Sequence, residues 1–116
     1  MRHSGVHHVS INVDDVEANR DFYVNVLGFT ELDRPDLGIG GCWLQMGPQE
    51  LHLIELPRPE GPGPHFALAV DDIAEAVAEL QDKGVEVSDV VTMEGICLQA
   101  FLDDPAGNRL ELNQRL

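Results

Sequence analysis

An internal repeat dominates this chain. His8 begins the run His-Val-Ser-Ile-Asn-Val-Asp-Asp-Val, and 57 positions later His65 begins His-Phe-Ala-Leu-Ala-Val-Asp-Asp-Ile. Further along, Leu51-His52-Leu53 recurs as Leu110-Glu111-Leu112. Self-similarity of this kind predicts two copies of one supersecondary unit. Each copy carries a side chain able to bind a metal near both of its ends.

The residue pattern of each copy predicts the order β-α-β-β-β. Residues 7–13 alternate between polar and apolar side chains, which indicates a strand with one apolar face. Asp14 and Asp15 are suitable helix N-caps, and Gly28 is suited to end the helix that follows. The other elements predicted in the first copy are strands at Thr30–Asp33, Cys42–Met46 and Glu50–Leu56. The elements predicted in the second copy are the strand His65–Val70, the helix Asp72–Lys83 ended by Gly84, and strands at Val85–Val91, Ile96–Leu102 and Arg109–Gln114.

A proline- and glycine-rich segment separates the two copies. Residues 57–64 read Pro-Arg-Pro-Glu-Gly-Pro-Gly-Pro, which cannot continue a helix or a central strand. We therefore predict one α+β domain of 116 residues. It consists of a first βαβββ module at 1–57, a connector at 58–64 and a second βαβββ module at 65–116.

Composition limits the classes of partner. The formal net charge is −14, from 21 acidic and 7 basic residues, which argues against nucleic acid and against an anionic membrane surface. Cys42 and Cys97 are too few for a disulfide framework and predict buried thiols in a reducing compartment. No apolar run approaches the roughly 20 residues of a membrane span, and no secretory signal opens the chain. We therefore expect a cytoplasmic protein.

Four side chains at repeat-equivalent positions form the candidate metal site. His8 and His65 begin equivalent strands, while His52 and Glu111 lie at equivalent points in the closing strands. A single histidine on a strand is more often a surface or core residue than a ligand. Four equivalent positions are not independent, however, and they favour a shared divalent metal such as zinc, nickel, iron, manganese or cobalt. Four protein ligands in an octahedral shell would leave two positions for water or substrate.

Small and polar residues share the histidine side of the first strand in each copy and leave room for a ligand. Leu44-Gln45 recurs as Leu98-Gln99, and an amide among apolar residues needs a partner such as a ligand or a metal-bound water. The aromatic side chains on these strands line a pocket or pack in the core. The predicted pocket residues are Ser10, Asn12, Trp43, Gln45, Gln99 and Phe101.

Two further histidines receive no role. His3 lies in the lead-in segment, and alternation places His7 on the apolar side of the first strand. Glu50 has the same parity as His52 and is a candidate to support the metal ligands through hydrogen bonds.

Several segments together match a known pattern. They are His7–Asp15, Arg20–Tyr23, Val26–Phe29, Leu51–Glu55, His65–Asp72 and Asp104–Leu112. Over nearly the whole chain this arrangement resembles the vicinal oxygen chelate superfamily, the glyoxalase, bleomycin-resistance and extradiol dioxygenase group.

The resemblance implies two βαβββ modules that form a cupped, partly open mixed β-barrel, with helices outside, around a divalent metal. The family ligand positions match His8, His52, His65 and Glu111. Glyoxalase I-like members usually carry glutamate at the position of His52, and their mechanism is thought to use two carboxylates. A set of metal ligands with three histidines and only one glutamate favours iron-dependent oxygenation more than a set with two glutamates does.

Three functions follow as alternatives. The first is a lyase or isomerase acting on a small substrate with vicinal oxygens, in which the metal stabilises an enolate. The base is Glu111, acting as a displaceable ligand, or alternatively a metal-bound hydroxide. The second is an Fe(II) extradiol-type dioxygenase. The third is a non-enzymatic small-molecule binder of the bleomycin-resistance type. A homodimer is expected in each case, because such modules pair either within one chain or across two.

Overall fold

The structure, a computed structural model, describes residues 1–2, 4–61 and 63–116. It contains two compact units, Met1–Glu60 and Gly61–Leu116, whose boundary falls within the proline- and glycine-rich segment. His3 and Pro62 lie outside the described residues. The predicted α+β class with two βαβββ modules is confirmed.

Each unit is a four-stranded mixed sheet with its helical segment inserted after the first strand. The first unit contains β1 (His8–Val13), α1 (Val16–Asp21), a π-helical turn (Phe22–Val26), β2 (Thr30–Leu32), β3 (Gly41–Met46) and β4 (Gln49–Glu55). The second unit contains β5 (His65–Ala69), α2 (Ile73–Asp82), β6 (Val91–Met93), β7 (Cys97–Asp103) and β8 (Arg109–Arg115). The strand orders are β1-β4-β3-β2 and β5-β8-β7-β6, and only the first pair in each order is parallel.

The two faces of each sheet differ in character. In the first unit, Leu51 and Leu53 of β4 are fully buried, and α1 packs against β3 and β4. In the second unit, Leu110 and Leu112 of β8 are buried, and α2 packs against β7 and β8. Because side chains alternate along a strand, the residues between these leucines lie on the opposite face of each sheet. That opposite face carries the predicted ligands, and we call it the histidine face.

Both helices begin at the predicted aspartates. Asp15 accepts a hydrogen bond from the backbone N–H of Ala18 at 3.0 Å, and Asp72 accepts one from the backbone N–H of Glu75 at 3.1 Å. These N-caps satisfy backbone donors that the first helical turn leaves free. Within the described ranges, no helix combines the length and apolar character needed to cross a bilayer.

The helical segment of the first unit is irregular. Ala18 is exposed, whereas Asn19 is fully buried and donates a hydrogen bond from Nδ2 to the carbonyl oxygen of Asp15 at 2.8 Å. The helix then widens into the π-helical turn, in which neighbouring Phe22 and Tyr23 are both buried. A π-turn accommodates one extra residue compared with an α-turn. A regular four-residue spacing therefore does not describe this segment.

The predicted strand at Val85–Val91 is wrong. The structure has a strand only from Val91 to Met93, and Ser88 is the point at which the preceding segment is attached to β7. The Ser88 backbone N–H donates to the carbonyl oxygen of Phe101 at 2.9 Å, while the Ser88 hydroxyl accepts from the Phe101 N–H at 2.8 Å. A side-chain oxygen thus replaces the backbone carbonyl that a regular ladder would use.

Both cysteines are buried and unpaired, as predicted. Burial is the main cause that raises the pKa of the Cys42 thiol to about 12, and the nearby Glu31 carboxylate adds to it. The thiol therefore stays protonated at neutral pH and acts as a small apolar group.

A buried aspartate holds the turn before β8. Asp104 is 4% exposed, and its carboxylate accepts hydrogen bonds from the backbone N–H of Asn108 at 2.7 Å and from Asn108 Nδ2 at 3.0 Å. The backbones of the two residues are also joined, at 2.9 Å. This turn sets the point at which β8 begins, and so the position of Glu111.

We expect Asp104→Ala to lower the free energy of unfolding by about 1–3 kcal/mol, because it removes the buried carboxylate that accepts two hydrogen bonds from the half-buried Asn108. Denaturant unfolding followed by circular dichroism would measure the change. The matched control is Asp103→Ala, since Asp103 is exposed, and it should change stability by no more than about 0.5 kcal/mol. Equal effects of the two substitutions would contradict this role of Asp104.

Candidate metal centre

The strand register gives the predicted ligands equivalent positions in the two units. In the first unit β1 and β4 are parallel, and Ser10 lies opposite His52. In the second unit β5 and β8 are parallel, and Ala67 lies opposite Glu111. His52 and Glu111 therefore occupy the same place in their respective sheets. The repeat had predicted this equivalence.

In the first unit, His8 and His52 are in direct contact. Their rings are stacked, with centroids 4.0 Å apart and planes 15° apart. The ring of Trp43 stacks on His52 as well, with centroids 4.7 Å apart. Since β1 and β3 flank β4 on its two sides, His52 is held between His8 and Trp43. This packing restricts the orientation of its imidazole.

Two further side chains, Glu50 and His7, contact the His8–His52 pair. Glu50 Oε1 lies 3.0 Å from His52 Nε2, and this hydrogen bond is the main cause that lowers the pKa of the Glu50 carboxyl, against an opposing effect of desolvation. His7 Nδ1 lies 2.9 Å from His8 Nδ1. The prediction that His7 faces away from His8 is therefore wrong. β1 begins at His8, so the alternation of a strand does not extend to His7.

In the second unit, His65 and Glu111 are brought together. His65 Nε2 lies 3.2 Å from Glu111 Oε1, and Asn113 Nδ2 donates to the other carboxylate oxygen, Oε2, at 2.7 Å. Glu111 is only 7% exposed. A buried carboxylate needs a compensating charge or hydrogen bonds.

The other nitrogen of His65 fixes its tautomer. Nδ1 lies 2.7 Å from the carbonyl oxygen of Gly63, which can only accept a hydrogen bond. Nδ1 therefore carries a proton, and in the neutral ring Nε2 presents a lone pair toward Glu111. A lone pair facing a carboxylate oxygen at this distance is repulsive unless a proton or a metal ion lies with them.

The donor geometry fits a metal ion. Two ligand atoms bonded to one ion at about 2.1 Å, and about 90° apart, lie about 3.0 Å from each other. The separation of 3.2 Å between His65 Nε2 and Glu111 Oε1 is close to that value. Hydrogen bonding of the remote ring nitrogen to a carbonyl is also the usual arrangement of a metal-ligating histidine.

The proposed metal ligands lie in two pairs, one within each unit. Across residues 1–2, 4–61 and 63–116, no group of three or more histidine, cysteine, aspartate or glutamate side chains forms a metal-binding cluster. Among the four proposed ligands, the observed contacts are thus His8 with His52 and His65 with Glu111.

Besides Trp43, three predicted pocket residues of the first unit lie on the histidine face. Ser10 is exposed beside His52, and Asn12 donates from Nδ2 to the carbonyl oxygen of Pro57 at 3.0 Å. Gln45 donates from Nε2 to the carbonyl oxygens of Gly47 and Gln49, at 2.7 and 3.1 Å. The partner that its amide requires is thus the β3–β4 turn.

The predicted correspondence of Gln45 with Gln99 is wrong. Gln99 lies opposite Asn113 on β8, whereas Gln45 lies opposite Glu50 on β4. The aromatic residues correspond instead. Trp43 lies opposite His52 and Phe101 lies opposite Glu111, so each proposed ligand on a closing strand has an aromatic neighbour.

Sequence reasoning missed two side chains near Glu111. Neither Asn113 nor Arg109 was assigned a role from the sequence. Arg109 lies opposite His65, with its guanidinium carbon 4.0 Å from the centroid of the Phe101 ring. Parity along β8 was the available signal, because residues 109, 111 and 113 of one strand share a face.

Comparison with known proteins gives a consistent result. Residues 5–112 match the model of the family described as the Glyoxalase/Bleomycin resistance protein/Dioxygenase superfamily. A probable lactoylglutathione lyase, chloroplastic, of Arabidopsis thaliana is 33% identical over 122 residues, which cover 93% of this chain and 35% of that protein. The lactoylglutathione lyase of Escherichia coli O157:H7 is 30% identical, covering 90% of this chain and 88% of that protein.

A solved structure is also similar over its full length. It is the crystal structure of TnmS3, an antibiotic binding protein from Streptomyces sp. CB03234. The TM-score is 0.85 at 32% sequence identity, with 100% of this chain and 99% of that chain covered. The similar proteins thus include an antibiotic binding protein among the solved structures and lactoylglutathione lyases among the sequence relatives.

We expect the neutral His65 ring to be the Nδ1–H tautomer, because Gly63 offers only an acceptor. Long-range proton–nitrogen correlation spectra of labelled protein, recorded at alkaline pH where imidazoles are neutral, would measure this. A His65→Gln variant identifies the signal. An Nε2–H tautomer would contradict the assignment of Nε2 as the nitrogen available to a metal.

Proposed function

Because the chain belongs to the Glyoxalase/Bleomycin resistance protein/Dioxygenase superfamily, we propose that it is a metal-dependent, glyoxalase-like lyase or isomerase. Its substrate is a small molecule with vicinal oxygens. The ion is divalent: zinc, nickel, iron, manganese or cobalt. The proposed ligands, two from each unit, are His8, His52, His65 and Glu111.

The contact between His65 and Glu111 is the observation that carries this proposal. A buried carboxylate oxygen and an imidazole lone pair face each other at 3.2 Å, while Asn113 and Gly63 hold the remote atoms of both groups. A cation satisfies both donors at once. The contact between His8 and His52 supports an equivalent half of the site in the first unit.

The bound ion would supply a Lewis acid for the substrate oxygens. Glu111 is the base that takes a proton from the carbon next to the substrate carbonyl. The atom is Oε1, because Oε2 is held by Asn113, so Glu111 would act as a displaceable ligand whose Oε1 leaves the ion before it accepts the proton.

The first unit offers a second carboxylate even though His52 stands where glyoxalase I-like members usually have glutamate. Glu50 lies on the same face, 3.0 Å from His52 Nε2. A second carboxylate on the histidine face of the first unit favours proton transfer chemistry over oxygenation. An Fe(II) extradiol-type dioxygenase is accordingly the weaker alternative.

Non-enzymatic small-molecule binding is the second candidate function. The likeness to an antibiotic binding protein favours it, and so does Trp43, whose ring offers a stacking surface on the histidine face. Under either function we propose a cytoplasmic homodimer that binds a small molecule. The net charge of −14 argues against nucleic acid and anionic membranes as partners.

We expect purified protein without an affinity tag to contain one divalent ion per chain. The His65→Ala variant should bind it at least about tenfold more weakly, because it loses one ligand. Elemental analysis and competition with a chromogenic chelator would measure content and affinity. If the protein binds no divalent metal but binds an aromatic antibiotic, the result would contradict the enzyme proposal and favour the non-enzymatic binder.

We expect Glu111→Gln to reduce turnover by about a hundredfold or more, since amides are not bases, while the circular dichroism spectrum is unchanged. The screen would use 2-oxoaldehyde hemithioacetals, epimerisable 2-substituted carbonyl compounds and catechols. The control is Glu86→Gln, because Glu86 is exposed and lies outside the strands. Retained turnover in Glu111→Gln would remove Glu111 from the role of base, and oxygen uptake with a catechol would favour the dioxygenase.

A further inference from the structure

Arg109 is fixed beside the candidate metal ligands of the second unit. It lies opposite His65 across the β5–β8 pair, and Phe101 lies opposite Glu111 across the β7–β8 pair. The Arg109 guanidinium carbon is 4.0 Å from the centroid of the Phe101 ring. The His65 ring meets the same Phe101 ring edge-on, with centroids 5.9 Å apart. One aromatic ring thus positions both the arginine and the proposed ligand.

This contact leaves the hydrogen-bonding edge of the guanidinium available. A guanidinium carries five N–H donors in its plane, and stacking over a ring occupies its flat face. Among the described residues, Arg109 has no carboxylate oxygen within 4.0 Å, although Asp103 lies opposite it on β7. Arg20, by contrast, is ion-paired with Glu17 and Asp21.

The equivalent position in the first unit has the opposite charge. His8 lies opposite Glu50, just as His65 lies opposite Arg109. The residues flanking the two proposed ligand pairs therefore differ by two charge units, in a chain with a net charge of −14. A fixed cation beside the ligand pair of the second unit would attract the anionic end of a substrate and orient it.

We propose that Arg109 is a specificity residue that binds a carboxylate on the substrate, so that the substrates are small carboxylates with a neighbouring hydroxyl or carbonyl oxygen. The assignment of a substrate class rests on the proposed function. The binding of a carboxylate by Arg109 does not depend on it. Arginine suits a carboxylate because the two planar groups form paired, charge-assisted hydrogen bonds. Phe101 holds the guanidinium plane, which reduces the freedom lost on binding.

The test uses lactate and lactamide, which share adjacent oxygens and differ in charge. Each is titrated into metal-free protein and into zinc-loaded protein, with binding followed by the NMR signals of Arg109 Nε–H and of the Phe101 ring. Because the metal-free arm does not depend on metal binding or turnover, a failure of the anion site is distinguishable from a failure of the proposed function.

We expect wild-type protein to bind lactate in the millimolar range or tighter, and lactamide about tenfold more weakly. Arg109→Ala should lose that preference, and Arg109→Lys should retain part of it, because it keeps the charge without the planar donor pair. Arg115→Ala is the matched control, since Arg115 lies on the same face of β8, and it should bind lactate as the wild type does.

Three results would overturn the proposal. They are equal binding of lactate and lactamide by the wild type, unchanged lactate binding in Arg109→Ala, and no lactate binding in the millimolar range. A parallel titration with inorganic phosphate separates the two common oxyanions. Phosphate binding that needs Arg109, without lactate binding, would overturn the assignment to carboxylates.

Discussion

Parallel pairing between the first and last strands of each unit is the constraint on which the candidate site depends. It brings His8 next to the strand that carries His52, and His65 next to the strand that carries Glu111. A shift of one residue in either register would turn His52 or Glu111 toward the helix-covered face. The fully buried leucines beside them prevent that shift, because it would expose their side chains. The apolar core therefore sets the positions of the polar ligands.

The sequence predicted the features that depend on alternation and on local capping. The strand that begins at His65, the N-caps at Asp15 and Asp72, and the equivalence of His52 with Glu111 all follow from patterns within a few residues. The α+β class followed from the repeat of those patterns. Near the ligands, the common parity of Glu50 and His52 predicted that they share a face, on which the structure shows them hydrogen-bonded.

The failures arose where pairing between distant segments decides the structure. Gln45 and Gln99 were matched by the similarity of the surrounding residues, without regard to the length of the turn that follows each strand. Residues 47–48 join β3 to β4, whereas residues 104–108 join β7 to β8. A longer turn shifts which residues of the hairpin lie opposite each other. Likewise, no local pattern reveals that the hydroxyl of Ser88 replaces a backbone acceptor of β7. Nor does the sequence state that Arg109 stacks on Phe101, a contact made across two strands.

Trp43 gives this fold an intrinsic optical reporter. It is the one tryptophan of the sequence, and its indole stacks on the His52 imidazole with planes 14° apart. An excited indole in such close contact is sensitive to any change in the electron demand of its neighbour. Tryptophan emission from this chain consequently originates at the histidine face, so that the occupancy of this face is readable in solution without a label.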